Sequence, residues 1–410
     1  MKILTITPWD SFAHAVRCGS VVKSLREKDM SIICIGGKDS SFLKISQKEG
    51  FECYPVSFQL GPLKRHELDL YTEQSAISDF RLLLDLFRKV HPDLILSDAA
   101  PVVPLVAEKL DIRHVGLVSA FWTNYYAFQR PILKWSSIGY FLGRNIRQVL
   151  RGYWTDLFNK KLSKWAQPLN HIAISNGLNK RENILSFLEG NSMTLITDLP
   201  EFGTLKNAPK TFKYCGPLIW DPPFHSYDIP KKLDKKRPAA YVSFGSSGAF
   251  FYIEKIVKWL LEEDWQVILT TAFNWIPLTE SLIHDSRIIT EEFINVDDVL
   301  PFCEAVIFHG GIGTAYQVLM HKKPSVIIPR YFEQGWNAYR LEQLGVGRIM
   351  TPRLLTKKRL MTTLKEIIEK SKSIFQERTF FQQDRIKKID GPEIASNLIY
   401  GLCTSSDGHK

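Results

Sequence analysis

An α/β fold in two domains, each built on a parallel sheet with helices on both faces, is what this sequence predicts. Three observations carry the prediction. Strand-like and helix-like segments alternate through the first half of the chain, the pattern of parallel strands joined by crossover helices. A second alternating series begins after a stretch rich in proline and charge. The length of 410 residues suffices for two domains of ordinary size, each with its own core.

The elements follow in order. Lys2–Thr7 reads as the first strand; its apolar run is too short for a signal peptide and is followed at once by Trp9 and Asp10. Ala13–Glu27 has helical patterning, and Ser31–Ile35 is a second strand ending at Gly36 and Gly37. Leu43–Glu49 reads as a helix, Phe51–Val56 as a third strand, Gln74–Val90 as a long amphipathic helix and Leu94–Asp98 as a buried strand. No G-x-G-x-x-G follows the first strand, so an NAD-type dinucleotide fingerprint is missing there. The first domain is placed at 1–217, closing at Tyr214-Cys215-Gly216-Pro217. A linker follows at 218–238, from Trp220-Asp221-Pro222-Pro223 to Lys235-Lys236-Arg237-Pro238. The second domain spans 239–388, with a series that starts at Ala240–Ser246 and continues through Gln266–Thr271, Arg287–Thr290 and the Ala305–Phe308 strand. The tail, 389–410, carries a last helix over Gly391–Leu402.

A hydrophobic fraction of 45% and a charged fraction of 23% are those of a soluble globular protein, and no apolar run approaches the length that crosses a bilayer. Six scattered cysteines without a C-x-x-C pair point to a reduced compartment and away from a structural zinc. A cytoplasmic location is therefore expected. The net charge of +10 is concentrated in Phe121–Trp165, where Arg130, Lys134, Arg144, Arg147, Arg151, Lys160, Lys161 and Lys164 face only Asp156. Trp122, Trp135, Trp154 and Trp165 lie in the same segment. Three readings stay open: a solvated helical hairpin whose aromatics are core, an apolar acceptor pocket, or docking on an anionic membrane, which would make the protein peripheral at the inner membrane face. No nucleic-acid-reading motif accompanies the charge, so no nucleic-acid partner is expected.

The most informative stretch is Ala305–Gly347. The apolar run Ala305–Phe308 breaks at His309-Gly310-Gly311-Ile312-Gly313-Thr314, and helical patterning resumes at Ala315–Met320. Strand, glycine turn and helix start make an anion site, because glycines admit a ligand to the backbone and the helix presents unpaired N–H groups. A second buried strand, Ser325–Pro329, leads into Arg330–Ala338, read as a loop of hydroxyl-binding polar groups. The ordered set H-G-G-x-G-T, P-x-x-x-x-P and E-Q-x-x-N-A resembles the donor-binding signature of GT-B nucleotide-sugar glycosyltransferases. The pattern is closest in kind to the inverting UDP/TDP-glycosyltransferase (UDP-glucuronosyltransferase-like) superfamily, whose members decorate small hydrophobic acceptors. Gly216-Pro217-Leu218 and Tyr241–Ser246 also match, whereas the first half matches only in outline.

That resemblance implies a GT-B fold: two Rossmann-like, doubly wound parallel-sheet domains facing across a cleft, the first binding acceptor and the second a nucleotide sugar. It implies that His14, placed in the loop after the first strand, is the general base, with Asp98 fixing its tautomer. The plainer alternative is that both residues only cap helices. Ala13 stands where the family usually has glycine, and Asp10 is near enough to substitute as base. The diphosphate would be held by His309, Gly310, Gly311, Gly313 and Thr314, with Ser246 on the opposing loop; the alternative is glycines serving turn geometry alone. Stabilisation of the leaving group by the imidazole and the helix N-terminus would make a metal unnecessary, and the chain has no D-x-D motif. No metal and no cofactor are expected, the nucleotide sugar being a substrate. Glu333 and Gln334 would bind the sugar hydroxyls. Gln317 replaces the glutamate that grips the ribose in many UDP-sugar enzymes, which leaves TDP open. Two further functions stay in view, a non-catalytic relative that activates another enzyme and a nucleotide-sugar epimerase.

Overall fold

The computed structural model describes residues 1–8, 12–38, 40–59, 71–128, 144–219, 225–245, 252–271, 278–330, 332–377 and 386–404. These fall in two compact units, the first from 1–130, 150–220 and 390–410, the second from 131–149 and 221–389. Single-turn helices are left unlabelled below.

The first unit is organised on β1 (Lys2–Thr7), β2 (Ser31–Gly37), β3 (Glu52–Val56), β4 (Leu94–Asp98), β5 (Arg113–Val118), β6 (Met193–Ile196) and β7 (Phe212–Tyr214), in the order β3-β2-β1-β4-β5-β6-β7. All neighbouring pairs are parallel. β1 and β4 are buried almost end to end, as strands covered on both faces must be. The chain leaves β1 toward β2 and β3 on one side and continues from β4 on the other. The topological switch point, where open α/β sheets bind ligands at the strands' carboxyl ends, therefore lies between β1 and β4.

Helices α1 (Phe12–Arg26), α2 (Ser41–Lys48), α3 (Glu73–Val90) and α4 (Val103–Lys109) make the crossovers. Local chemistry sets their starts: the Ser40 hydroxyl accepts from Leu43 N–H, and Thr72 with Ser75 forms a reciprocal capping box on α3. α5 (Arg144–Ser175) buries Phe158, Leu162, Trp165, Leu169 and Ile172, a helical stripe three and four residues apart. Lys160, Lys161 and Lys164 are exposed on it, with the Lys161 ammonium 5.1 Å from the Trp165 ring centre. In this part of 121–165 the aromatics are core and the lysines are solvated. Trp135 lies outside the described residues.

The second unit carries β8 (Ala239–Ser243), β9 (Gln266–Thr270), β10 (Ile288–Glu291), β11 (Ala305–Phe308), β12 (Ser325–Ile327) and β13 (Gly347–Ile349), in the order β10-β9-β8-β11-β12-β13. Its pairs are also parallel, with the switch point between β8 and β11. α6 (Ile253–Glu262) buries Ile253, Ile256, Val257 and Leu260, the spacing of one helix face. α7 (Ile312–Met320), α8 (Phe332–Gln343) and α9 (Lys357–Glu377) complete the unit.

The chain then returns to the first unit as α10 (Gly391–Thr404), which lies on α1. The Ser24 hydroxyl donates to Glu393 at 3.1 Å and shares a 2.8 Å bond with Ser396, and Lys28 pairs with Glu393 at 3.2 Å.

Two expectations need correction. Arg330–Ala338 is not a loop: α8 begins at Phe332. Its polar residues concealed it, because Gln334, Asn337 and Arg340 are buried beside Trp336, Ala338 and Leu341 instead of facing water. His14 is not in a loop either, but in the first turn of α1. Among the described residues no helix is long and apolar enough to cross a membrane.

Candidate active site

The first constellation sits at the β1/β4 switch point. Asp98 is the last residue of β4 and is 1% exposed. His14 reaches it from the first turn of α1, with Nδ1 3.0 Å from Asp98 Oδ2 and the ring partly exposed. A third member, Arg17, was not foreseen. Its Nε–H donates to Asp98 Oδ2 at 2.9 Å and its Nη2–H to Asp98 Oδ1 at 3.0 Å, a bidentate fork. The same Nη2 lies 2.8 Å from His14 Nδ1. Burial alone would push the Asp98 pKa up; Arg17 first, then His14, outweigh it and hold the carboxyl below its ordinary value. The sequence offered only a partial signal: residues three apart on a helix share a face, which puts Arg17 beside His14 without saying that either turns toward a carboxylate.

The second constellation lies at the β8/β11 switch point and is built on β11, the turn His309–Gly311 and α7. Two glycines make room for the His309 ring. A Cβ on Gly245 would meet its Cε1 at 2.7 Å, and one on Gly311 would meet its Nε2 at 2.7 Å. Gly310 has φ +94°, and a Cβ there would lie 2.5 Å from the Gln334 carbonyl oxygen, so α8 is packed directly onto the turn. Asn337 Nδ2 donates to the Gly310 carbonyl at 2.9 Å and Gln334 Oε1 accepts from Arg330 N–H at 2.9 Å, both from buried side chains.

His309 Nδ1 is 3.4 Å from the Ser243 carbonyl, which only accepts, so Nδ1 carries the proton. Burial holds the His309 pKa down at about 4, against the upward pull of that bond, and the ring is neutral at pH 7. Positive potential at this turn therefore comes from the start of α7, whose N-cap Gly311 has no side chain to occupy the free N–H groups. A Cβ on Gly313 would meet nothing within 4 Å, so the first turn of α7 is open.

The structure thus brings His14 to Asp98, and gathers His309, Gly310, Gly311, Gly313 and Thr314 at one turn with Gln334 against it. Gln317 lies one turn further along α7, partly exposed, and Glu333 lies in the first turn of α8, also partly exposed. Ser246 and Asp10 lie outside the described residues. Ser243, Gly245 and Asn337 also belong to the second constellation; they lie inside the Tyr241–Ser246 and E-Q-x-x-N-A stretches but were given no role, since a backbone carbonyl, a gap for a ring and a helix-to-turn bond cannot be read from residue type. Among the described residues no group of three or more His, Cys, Asp or Glu side chains is placed to hold a metal ion.

Comparison with known proteins bears on the fold and on the second unit. Residues 254–399 match the family described as erythromycin biosynthesis protein CIII-like, C-terminal domain. A PGL/p-HBAD biosynthesis glycosyltransferase of Mycobacterium tuberculosis is 23% identical over 292 residues, covering 69% of this chain and 64% of the relative's length. The match therefore leaves over a third of that relative unaligned. The solved calicheamicin glycosyltransferase CalG4 superposes with a TM-score of 0.69 at 16% identity, covering 98% of this chain and 97% of that one. Glycosyltransferase VinC in complex with dTDP does so at 0.65 and 17%, covering 98% and 99%.

Two doubly wound parallel-sheet units of this topology define a protein of the GT-B fold. Within that class, the second unit carries the likeness to the erythromycin biosynthesis protein CIII-like C-terminal domain, and the curated relatives this chain is similar to are named glycosyltransferases.

Proposed function

We propose that this protein is a metal-independent inverting glycosyltransferase that moves a hexose from a UDP- or TDP-sugar to a hydroxyl of a hydrophobic small-molecule or lipid acceptor. The observation that carries the reading is the glycine-framed turn after β11, where an uncapped helix start is left open at Gly313. A diphosphate there would meet free backbone N–H groups and the positive end of α7, a preorganised field for the charge that develops on a leaving group. His14, backed by Asp98, would accept the proton of the acceptor hydroxyl, and Glu333 with Gln334 would bind sugar hydroxyls. The name of another relative, a sterol 3-beta-glucosyltransferase of Saccharomyces cerevisiae that is 23% identical over 369 residues, supports an apolar acceptor. The dTDP bound to VinC, with glutamine at 317, keeps TDP equal to UDP as donor.

Thermal unfolding of the purified chain with UDP, TDP, GDP and ADP in turn, without metal, tests the donor half. A ligand at a hundred times its dissociation constant adds about 2.7 kcal/mol to the folded state. UDP or TDP alone is expected to raise Tm, and no shift with any nucleotide would discard the reading. His14→Ala should keep that shift and lose roughly two to four orders of magnitude in transfer. Undiminished transfer would remove His14 from the mechanism.

A further inference from the structure

We infer that Arg17 is a positioning residue that sets the tautomer of His14, holding it in the Nε2–H form until the guanidinium withdraws. The inference rests on the reading of His14 as the base and concerns a group that the His–Asp pair alone does not include. A guanidinium only donates, and Nη2 carries two hydrogens. One of them, with Nε–H, completes the fork on Asp98, at 3.0 and 2.9 Å. The other is left for His14 Nδ1, 2.8 Å away.

Two arrangements compete for Nδ1. If it bore a proton for Asp98 Oδ2, 3.0 Å off, that N–H would face a guanidinium N–H at 2.8 Å, donor against donor and with a full positive charge behind one of them. If Nδ1 bears its lone pair, the guanidinium bond is made. The cost is a lone pair near a carboxylate oxygen whose charge the fork already compensates. The second arrangement is the less costly, and the shorter contact agrees with it. Asp98 is 1% exposed and Arg17 9%, so water does not relieve the competition.

The consequence is chemical. In the Nε2–H form the outward nitrogen carries a proton and accepts none, so the dyad is at rest. Base action needs the proton on Nδ1, donated to Asp98 Oδ2, which in turn needs Nη2 to move off while Nε keeps its hold on the carboxylate. Arg17 is thereby a gate on the base, and its place at i+3 on α1 fixes it beside the ring.

The test is tautomer-resolved NMR of the unliganded full chain labelled with ¹⁵N-histidine, with His14 identified by its loss in His14→Gln. The wild type is expected to show an acceptor-type Nδ1 and a protonated Nε2. In Arg17→Met the two nitrogens should exchange character, with Nδ1 now donating to Asp98. A wild-type spectrum with Nδ1 protonated overturns the proposal by itself, whether or not the variant folds. An Arg17→Met spectrum unchanged from wild type overturns it too. A purely structural Arg17 would lower Tm without exchanging the nitrogens. Neither reading depends on sugar transfer, so failure of this proposal and failure of the proposed function are told apart by the nucleotide-shift experiment.

Discussion

Single residues decide whether the turn after β11 can serve as a phosphate cradle, and two glycines there predict opposite behaviour. Gly310 combines φ +94° with a Gln334 carbonyl 2.5 Å from where a Cβ would be. Gly310→Ala should therefore suffer both left-handed strain, about 1–2 kcal/mol, and a backbone clash, with a clear fall in Tm. Gly313 is helical and open. Gly313→Ala should gain about 0.5–1 kcal/mol from the helix preference of alanine yet put a methyl group into the space that the proposed diphosphate would need. A raised Tm in buffer with a lost UDP or TDP shift is the expected pair of results. A retained nucleotide shift would place the phosphates elsewhere.

At the scale of elements, α8 matters because it is bolted to that turn. Asn337→Ala removes the 2.9 Å bond to the Gly310 carbonyl and leaves a buried acceptor unpaired, at a cost of about 1–3 kcal/mol. Chemical denaturation should register the loss, and nucleotide affinity should fall with it as the turn loosens. Unaltered affinity would mean the turn holds its shape without α8.

This helix also marks where the sequence could be read and where it could not. The long apolar strands β1 and β4, the amphipathic α3 and the glycine signature after β11 were legible because each answers to a local rule: continuous apolarity, a 3.6-residue period, strand-turn-helix. Residues 332–343 were not, because a helix whose polar side chains are buried and bonded has the composition of a loop. β6 and β7, four and three residues long, carry too few residues for any period to emerge. His14 and Asp98 could be paired through the family pattern. Arg17 could not, since nothing local says that a basic residue on a helix will turn inward to a carboxylate contributed from far along the chain.

Across the whole molecule, each unit buries a neutral histidine. In the first, His114 on β5 is bonded through Nε2 to Ser97 Oγ at 2.7 Å, and burial pushes its pKa down to about 3. In the second, His309 is pushed down to about 4, also by burial. Below the ordinary value near 6.5 the unfolded chain binds protons that these folded rings decline. Stability therefore falls as pH drops from about 6.5 toward 4 and 3, and is insensitive to these two groups above that window. Each ring contributes a slope of up to about 1.4 kcal/mol per pH unit within it. His114→Gln should flatten the acid limb of a Tm–pH profile relative to its own plateau, whatever it does to Tm at pH 7. A limb of unchanged steepness would mean that His114 is protonated in the fold.

The bracing of α1 by α10 through Ser24, Glu393 and Ser396 bears on how such a protein can be recombined. A helix that carries His14 and Arg17 on one part leans, further along, on the far end of the chain. A hybrid assembled by cutting once between β7 and β8 would graft a foreign α10 onto a native α1, with mismatched partners for Ser24 and Lys28. Exchange of the second unit for that of a relative is therefore a two-crossover problem, in which 391–404 must travel with the first unit and not with the second.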